Sequence, residues 1–178
     1  MLAASLSRSR SAGFTLTELM LAIVVMGVLV ATGLPSFTQM LRNSQVRAAA
    51  ESIANGIQRA RAEAVANNTR VRFVLGTGTS WSVLTAAGAT LDSRASNEGS
   101  VNATLTAVAS DLATAATTIT FNQLGQVVAN ADASQALSRV TVVATSANLT
   151  LRVTVGAGGN SRVCDPSLPS YPTNMRGC

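Results

Sequence analysis

The hydrophobic positions of the chain fall into two regimes. From Phe14 to Leu34 they are nearly continuous, and no charged residue occurs in the 23 positions from Leu19 to Leu41. About 20 apolar residues cross the hydrocarbon core of a bilayer as a helix, so this segment predicts a membrane-length helix. Pro35 follows; its missing N–H predicts a kink or a locally melted turn. From Ser36 to Asn67 the pattern stays helical but becomes one-sided. Val46, Ala49, Ala50, Ile53, Ile57, Ala60 and Ala64 form one stripe, with Arg47, Glu51, Asn55 and Gln58 on the far side. A stripe made mostly of Ala suits docking against a sheet better than lying on a membrane. Asn67-Asn68 is the stop signal. One helix from Thr15 to Asn67 would be about 80 Å long at 1.5 Å per residue.

After Asn68 the period drops to two. Segments 71–75, 81–84, 101–108, 118–121, 126–128, 140–144, 149–155 and 162–164 predict short strands, with turns at Gly76-Thr77-Gly78-Thr79, at 122–125 and at 156–160. The Ala/Ser/Thr/Asn-rich stretches 86–100 and 110–117 predict exposed loops. Seven or so short strands behind one long helix predict an α+β fold with segregated elements. The chain of 178 residues has room for one such domain plus the helix, not for two full cores.

Charge and export signals sharpen this organisation. All thirteen basic residues are Arg, with no Lys and no His. Residues 1–13 hold Arg8 and Arg10 and no acid, and a small residue, Gly13, precedes the apolar run. An ordinary signal peptide has the opposite order, with its cleavage site after the apolar core. A cut after Gly13 would leave the apolar segment on the mature chain and lower the net charge from +5 to +3, by the two leader arginines. The leader arginines mark the cytoplasmic side, which sends the C-terminal bulk across the membrane. The expected organisation is a leader (1–13), a transmembrane or assembly helix (14–35), an amphipathic helix (36–67) and a β-rich periplasmic domain (68–178).

Glu18 stands at the edge of the apolar run, where an unpaired carboxylate is costly and therefore functional as a rule. After a cut at Gly13–Phe14 it would be the fifth residue behind a cationic amine, its own or a neighbouring subunit's, and a natural partner for it. The alternative is an interfacial Glu reaching for headgroups. Cys164 and Cys178 are the only cysteines, and an even count in an exported chain reads as one disulfide. A metal pair is the alternative, but without His two thiolates do not complete a tetrahedral zinc site. No metal or cofactor is expected.

The stretch Gly13-Phe14-Thr15-Leu16-Thr17-Glu18 resembles the class III signal of type IV pilins and type II secretion pseudopilins. That resemblance implies a prepilin peptidase that cuts after Gly13 and methylates Phe14. Pro35, the twenty-second residue from Phe14, falls where the family has a helix-kinking proline. Ala60-Arg61-Ala62-Glu63-Ala64-Val65 and Thr120-Phe121-Asn122-Gln123-Leu124-Gly125 are similar to motifs of the GspH/FimT group of minor pilins and pseudopilins. Arg162-Val163-Cys164-Asp165 with Cys178 resembles that group's disulfide-tied tail. The resemblance implies a long N-terminal helix on an antiparallel β-rich domain.

Three functions follow. The first is a non-enzymatic subunit at or near the tip of a pilus or pseudopilus, with other pilins, the prepilin peptidase and the inner membrane as partners. The second is DNA binding for uptake, implied by resemblance to FimT-type members with a Gly-Arg-x-Arg motif in a basic tail. Here that stretch is Gly159-Asn160-Ser161-Arg162, with Asn160 in place of the first Arg. Arg152, Arg162 and Arg176 would then meet phosphates weakly, with Tyr171 the one stacking partner in the tail. A mildly basic solvated surface explains the same arginines. The third, a tethered enzyme, is disfavoured: no His, no Gly-rich phosphate loop and no paired-carboxylate motif is present.

Overall fold

The computed structural model describes residues 13–170 and 172–178. The leader arginines Arg8 and Arg10, and Tyr171, lie outside the described residues. Two units are distinguished, Met1–Thr38 and Gln39–Cys178.

Helix α1 (Leu16–Ala66) begins in the first unit. Thr15 caps it: its hydroxyl accepts the Glu18 N–H at 3.3 Å, satisfying one of the free donors of the first turn. Such caps contribute about 1 kcal/mol. Helical conformation continues across Pro35, so the melted turn expected there as one alternative is absent. Pro35 cannot donate to the carbonyl four residues back. Nearby hydroxyls bond to the backbone instead: Thr32 to Val28 and Leu29 (3.1 Å each) and Thr38 to Pro35 (2.8 Å).

In the second unit α1 buries Val46, Ala49, Ala50, Ile53, Ile57, Ala60 and Ala64, the stripe expected from the sequence, together with Gly56. Burying Ile53 and Ile57 contributes about 2 kcal/mol each. Gln58, expected on the far side, is half-buried instead, because its amide donates to Ser161 Oγ at 2.8 Å. The helix stops where Asn68 adopts φ 49° and Thr69 N–H returns to the Ala64 carbonyl at 3.2 Å, an ending that Asn tolerates.

Among the described residues nine strands follow: β1 (Val71–Leu75), β2 (Trp81–Thr85), β3 (Thr90–Arg94), β4 (Ala103–Ala109), β5 (Thr118–Phe121), β6 (Val127–Val128), β7 (Leu137–Ala144), β8 (Leu151–Val155) and β9 (Ser161–Cys164). They form two antiparallel sheets, β3-β2-β1-β5-β6 and β4-β7-β8-β9. The expected α+β architecture is therefore present. Strand β3 corrects the loop expected over 86–100. Its sequence, Thr-Leu-Asp-Ser-Arg, lacks an apolar alternation because it is an edge strand, paired on one side only and largely exposed.

One face of each sheet supplies the core. Val71, Phe73 and Leu75 of β1, Ile119 and Phe121 of β5, and Leu137, Val140 and Val142 of β7 are buried with the helix stripe in one cluster. Gly56 is what lets β1 and β2 approach the helix. A Cβ there would lie 2.7 Å from the Phe73 ring and 3.0 Å from Trp81. Trp81 is fixed across it, its indole N–H donating to Ser52 Oγ at 2.8 Å. Buried Asn130 ties the β6–β7 connection to the first sheet. Its oxygen accepts from Thr120 Oγ1 at 2.8 Å, and its amide donates to the Thr118, Ser134 and Gln135 carbonyls at 3.2 Å.

Candidate functional site

In the first unit no described residue covers the apolar helix. Its most hydrophobic 18-residue window has a mean hydropathy of 2.2 and is 0% buried. Phe14 is 85% exposed, and Met20, Leu21, Ile23, Met26 and Leu29 are exposed with it. Water does not tolerate an apolar surface of this size on a soluble monomer. Glu18, in the first turn, is the one acidic residue of this segment. Gly13, just before the helix, has open space where a side chain would be.

The C-terminal tail is closed by the Cys164–Cys178 disulfide, with a sequence separation of 14 and Cα atoms 5.1 Å apart. Arg162 acts inside this closure. Its guanidinium donates to the carbonyls of Met175 (2.6 Å) and Gly177 (2.8 Å), and so ties β9 to the returning tail. Asp165 completes the turn by accepting from the Ser167 hydroxyl (2.6 Å) and amide (2.9 Å). The Ser167 hydroxyl bond, then the amide bond, holds its carboxyl below the ordinary carboxylate value.

The candidate phosphate-contacting arginines are thus unlike one another. Arg162 is engaged with the backbone, Arg176 is exposed, and Arg152 has a buried Nε without a partner. Register adds a residue that the sequence reading missed. Arg139 pairs with Thr154, which pairs with Arg162, and Thr141 pairs with Arg152. Because neighbours at two-residue steps share a face, Arg139, Arg152 and Arg162 all stand on the outer face of the four-stranded sheet. No Asp or Glu occurs in its four strands. Alternation within β7 was the available signal, since Arg139 is out of phase with buried Val140 and Val142.

Three stretches that carried the sequence resemblance meet at one junction. Arg61, from the end of α1, donates its Nε–H to the Gly125 carbonyl at 3.0 Å. Gly125 has φ +72° and Gly159 φ +80°. A Cβ on Gly159 would collide with the Gly125 carbonyl oxygen and come within 3.2 Å of Arg61 Nε and the Phe121 ring. Helix end, β5–β6 turn and β8–β9 turn are locked there by one guanidinium and two glycines.

An uncovered apolar N-terminal helix, a helix packed on antiparallel sheets and a disulfide-tied tail define a type IV pilin-like subunit. Residues 49–159 match the family model described as Type II transport protein GspH, and residues 8–34 match the prokaryotic N-terminal methylation motif. The chain belongs to the GspH family, the GspH/FimT-like minor pilins and pseudopilins. Among solved structures it is similar to the type IV minor pilin FimU of Pseudomonas aeruginosa (strain PAO1). In one crystal form the TM-score is 0.51 at 16% identity, covering 71% of this chain and 92% of that one. In another the values are 0.49, 17%, 70% and 97%. At such identity the first likeness shows the fold. No curated protein matches the chain.

The family and the fold are those of structural pilins, which are not enzymes. Pilins of this family assemble with other pilins and are processed by a prepilin peptidase, and the methylation motif with its apolar helix belongs to inner-membrane-anchored members.

Proposed function

We propose that the chain is a minor subunit incorporated at or near the tip of a type IV pilus or a type II secretion pseudopilus. A prepilin peptidase cuts it between Gly13 and Phe14 and methylates the new amine. The 14–35 segment is first a membrane anchor and then part of a helix bundle, while the β-rich domain faces the periplasm. The observation that carries this reading is the uncovered apolar helix with a single carboxylate in its first turn. Such a surface needs lipid or like helices around it, and Glu18 becomes affordable when a neighbour's N-terminal amine stands opposite. Gly13 supports the cleavage site. Among the described residues nothing lies within 4 Å of where its side chain would be, so packing there makes no demand for glycine. Intact-mass analysis of material sheared from the native host tests the proposal. The expected species starts at methylated Phe14; a mature N-terminus elsewhere, or absence from sheared filaments, rejects it.

A second reading is contact with DNA. It is favoured by Arg139, Arg152 and Arg162 sharing an acid-free sheet face, with Arg176 exposed in the tail. Asn160 in place of a first Arg, and the use of Arg162 as a backbone clamp, both weaken it. Binding through this face would be weak and independent of sequence.

A further inference from the structure

The outer face of the five-stranded sheet carries a cavity of ≈ 160 Å³, lined among others by Arg70, Arg72, Thr118, Asn130 and Asp132. Its construction follows from register. Arg72 is out of phase with buried Val71 and Phe73, so it points away from the core. Its register partner Thr120 and the nearby Thr118 form the floor on β5. Asn130, bonded to Thr118, Thr120, Ser134 and Gln135, holds the 129–135 segment as a wall. Four hydrogen-bonding partners on one buried side chain make this wall a fixed part of the domain.

The charges in the cavity do not cancel. Among the described residues neither Arg70 nor Arg72 has an ion-pair partner, the two pairs being Arg59–Glu63 and Arg94–Glu98. The Nε of Arg72 is buried and lacks a hydrogen-bond partner. A charged donor out of contact with water is costly to leave unmatched. Asp132 sits at the same cavity, exposed, and makes no ion pair with either arginine. Its Oδ1 accepts from the Ser134 amide (3.0 Å) and hydroxyl (2.7 Å), and these bonds, with the Arg72 charge adding to them, hold its carboxyl below the ordinary value. Two guanidinia against one carboxylate leave one positive charge unmet.

We propose that this cavity is a binding site for one carboxylate group. A planar monoanion matches both the single unmet charge and the forked geometry of a guanidinium. A phosphate dianion would overshoot that charge beside Asp132. The carboxylate is an Asp or Glu side chain of a neighbouring subunit, or a free small carboxylate. The chemistry at the site is the same for both.

The test uses the full chain in detergent micelles, titrated with sodium acetate and separately with inorganic phosphate at constant ionic strength, and followed by NMR. Acetate is expected to give saturable shifts in the Arg72 Nε–H and the amides of residues 70–72 and 130–132. Arg72→Gln should weaken binding about tenfold or more, the loss of a charge-assisted bond, and Arg70→Gln should weaken it less. Shifts that never saturate, shifts unchanged in both variants, or tighter binding of phosphate than of acetate overturn the proposal. If Arg72→Gln disturbs folding, seen as spectral changes beyond the cavity, Arg72→Lys replaces it, since it keeps the charge and removes the fork. Once saturable acetate binding is shown, recovery of Arg72→Gln in sheared filaments tells the source. A fall assigns the carboxylate to a neighbouring subunit, and unchanged recovery assigns it to a free anion. That arm alone rests on the filament reading.

Discussion

Arg61 and Gly125 are joined by a hydrogen bond of 3.0 Å from a guanidinium Nε–H to a backbone carbonyl, with Gly159 seated against the same carbonyl. The positive φ of Gly159 and its close neighbour make it the less replaceable partner of the junction. Gly159→Ala is expected to cost about 2 kcal/mol or more, from left-handed strain plus collision. Arg61→Ala should cost about 1–2 kcal/mol, the worth of a charge-assisted bond at a half-buried site. Thermal or denaturant unfolding of the full chain in detergent ranks the two; a Gly159→Ala protein as stable as wild type would contradict the junction.

Glu18→Ala should leave cleavage and membrane insertion intact and impair incorporation into filaments. Membrane residence requires only apolar length, whereas docking requires a partner for the N-terminal amine. The measurement is the amount of subunit in sheared filaments relative to the membrane pool. Equal recovery of mutant and wild type removes this role from Glu18.

Reduction of Cys164–Cys178 should loosen the tail before the sheets. The closed loop is about 15 residues, for which chain entropy gives roughly 3 kcal/mol. Arg162 stays bonded to Met175 and Gly177 only while the tail returns to β9. Hydrogen exchange should speed up at the amides of Asp165, Gly177 and Cys178 and hold steady in β7. Two titratable thiols in natively exported, unreduced protein would contradict the bond.

If the basic sheet face meets DNA, about three phosphate contacts give a salt slope near −3, and Asn160→Arg should steepen it by about one. Fluorescence anisotropy with a labelled duplex across a salt series measures it. No binding at low salt, and none created by Asn160→Arg, leaves the face without this function.

The helix and the core were legible in the sequence because both follow strong periodicity. Every residue of the expected stripe is buried, and Gly56 escaped only because a glycine has no hydropathy to register. Strand β3 was hidden for the reason that makes it an edge: Thr90, Leu91 and Ser93 are exposed, its half-buried positions are the charged Asp92 and Arg94, and no second neighbour selects its sequence. The cavity at Arg72 was invisible, since Arg72, Thr118 and Asn130 are brought together by pairing across 58 positions of chain. Motif matching also blurred one role. Gly159 opens the stretch compared with a DNA-binding motif, yet its conformation and its contact with Gly125 require glycine on structural grounds alone.

The cap at Thr15 has a consequence for a chain cut after Gly13. The helix would start two residues behind a new ammonium group, and the free N–H groups of its first turn already amount to about half a positive charge. The helix therefore repels the terminus it carries and attracts the carboxylate of Glu18. Methylation leaves that positive charge in place. A lone subunit can relieve the repulsion with its own Glu18 or with water, whereas a subunit entering a dry bundle leaves the water behind. The macrodipole of α1 thus turns the new terminus into a charge in search of an acidic neighbour, and makes the first turn of one helix a selective landmark for the next.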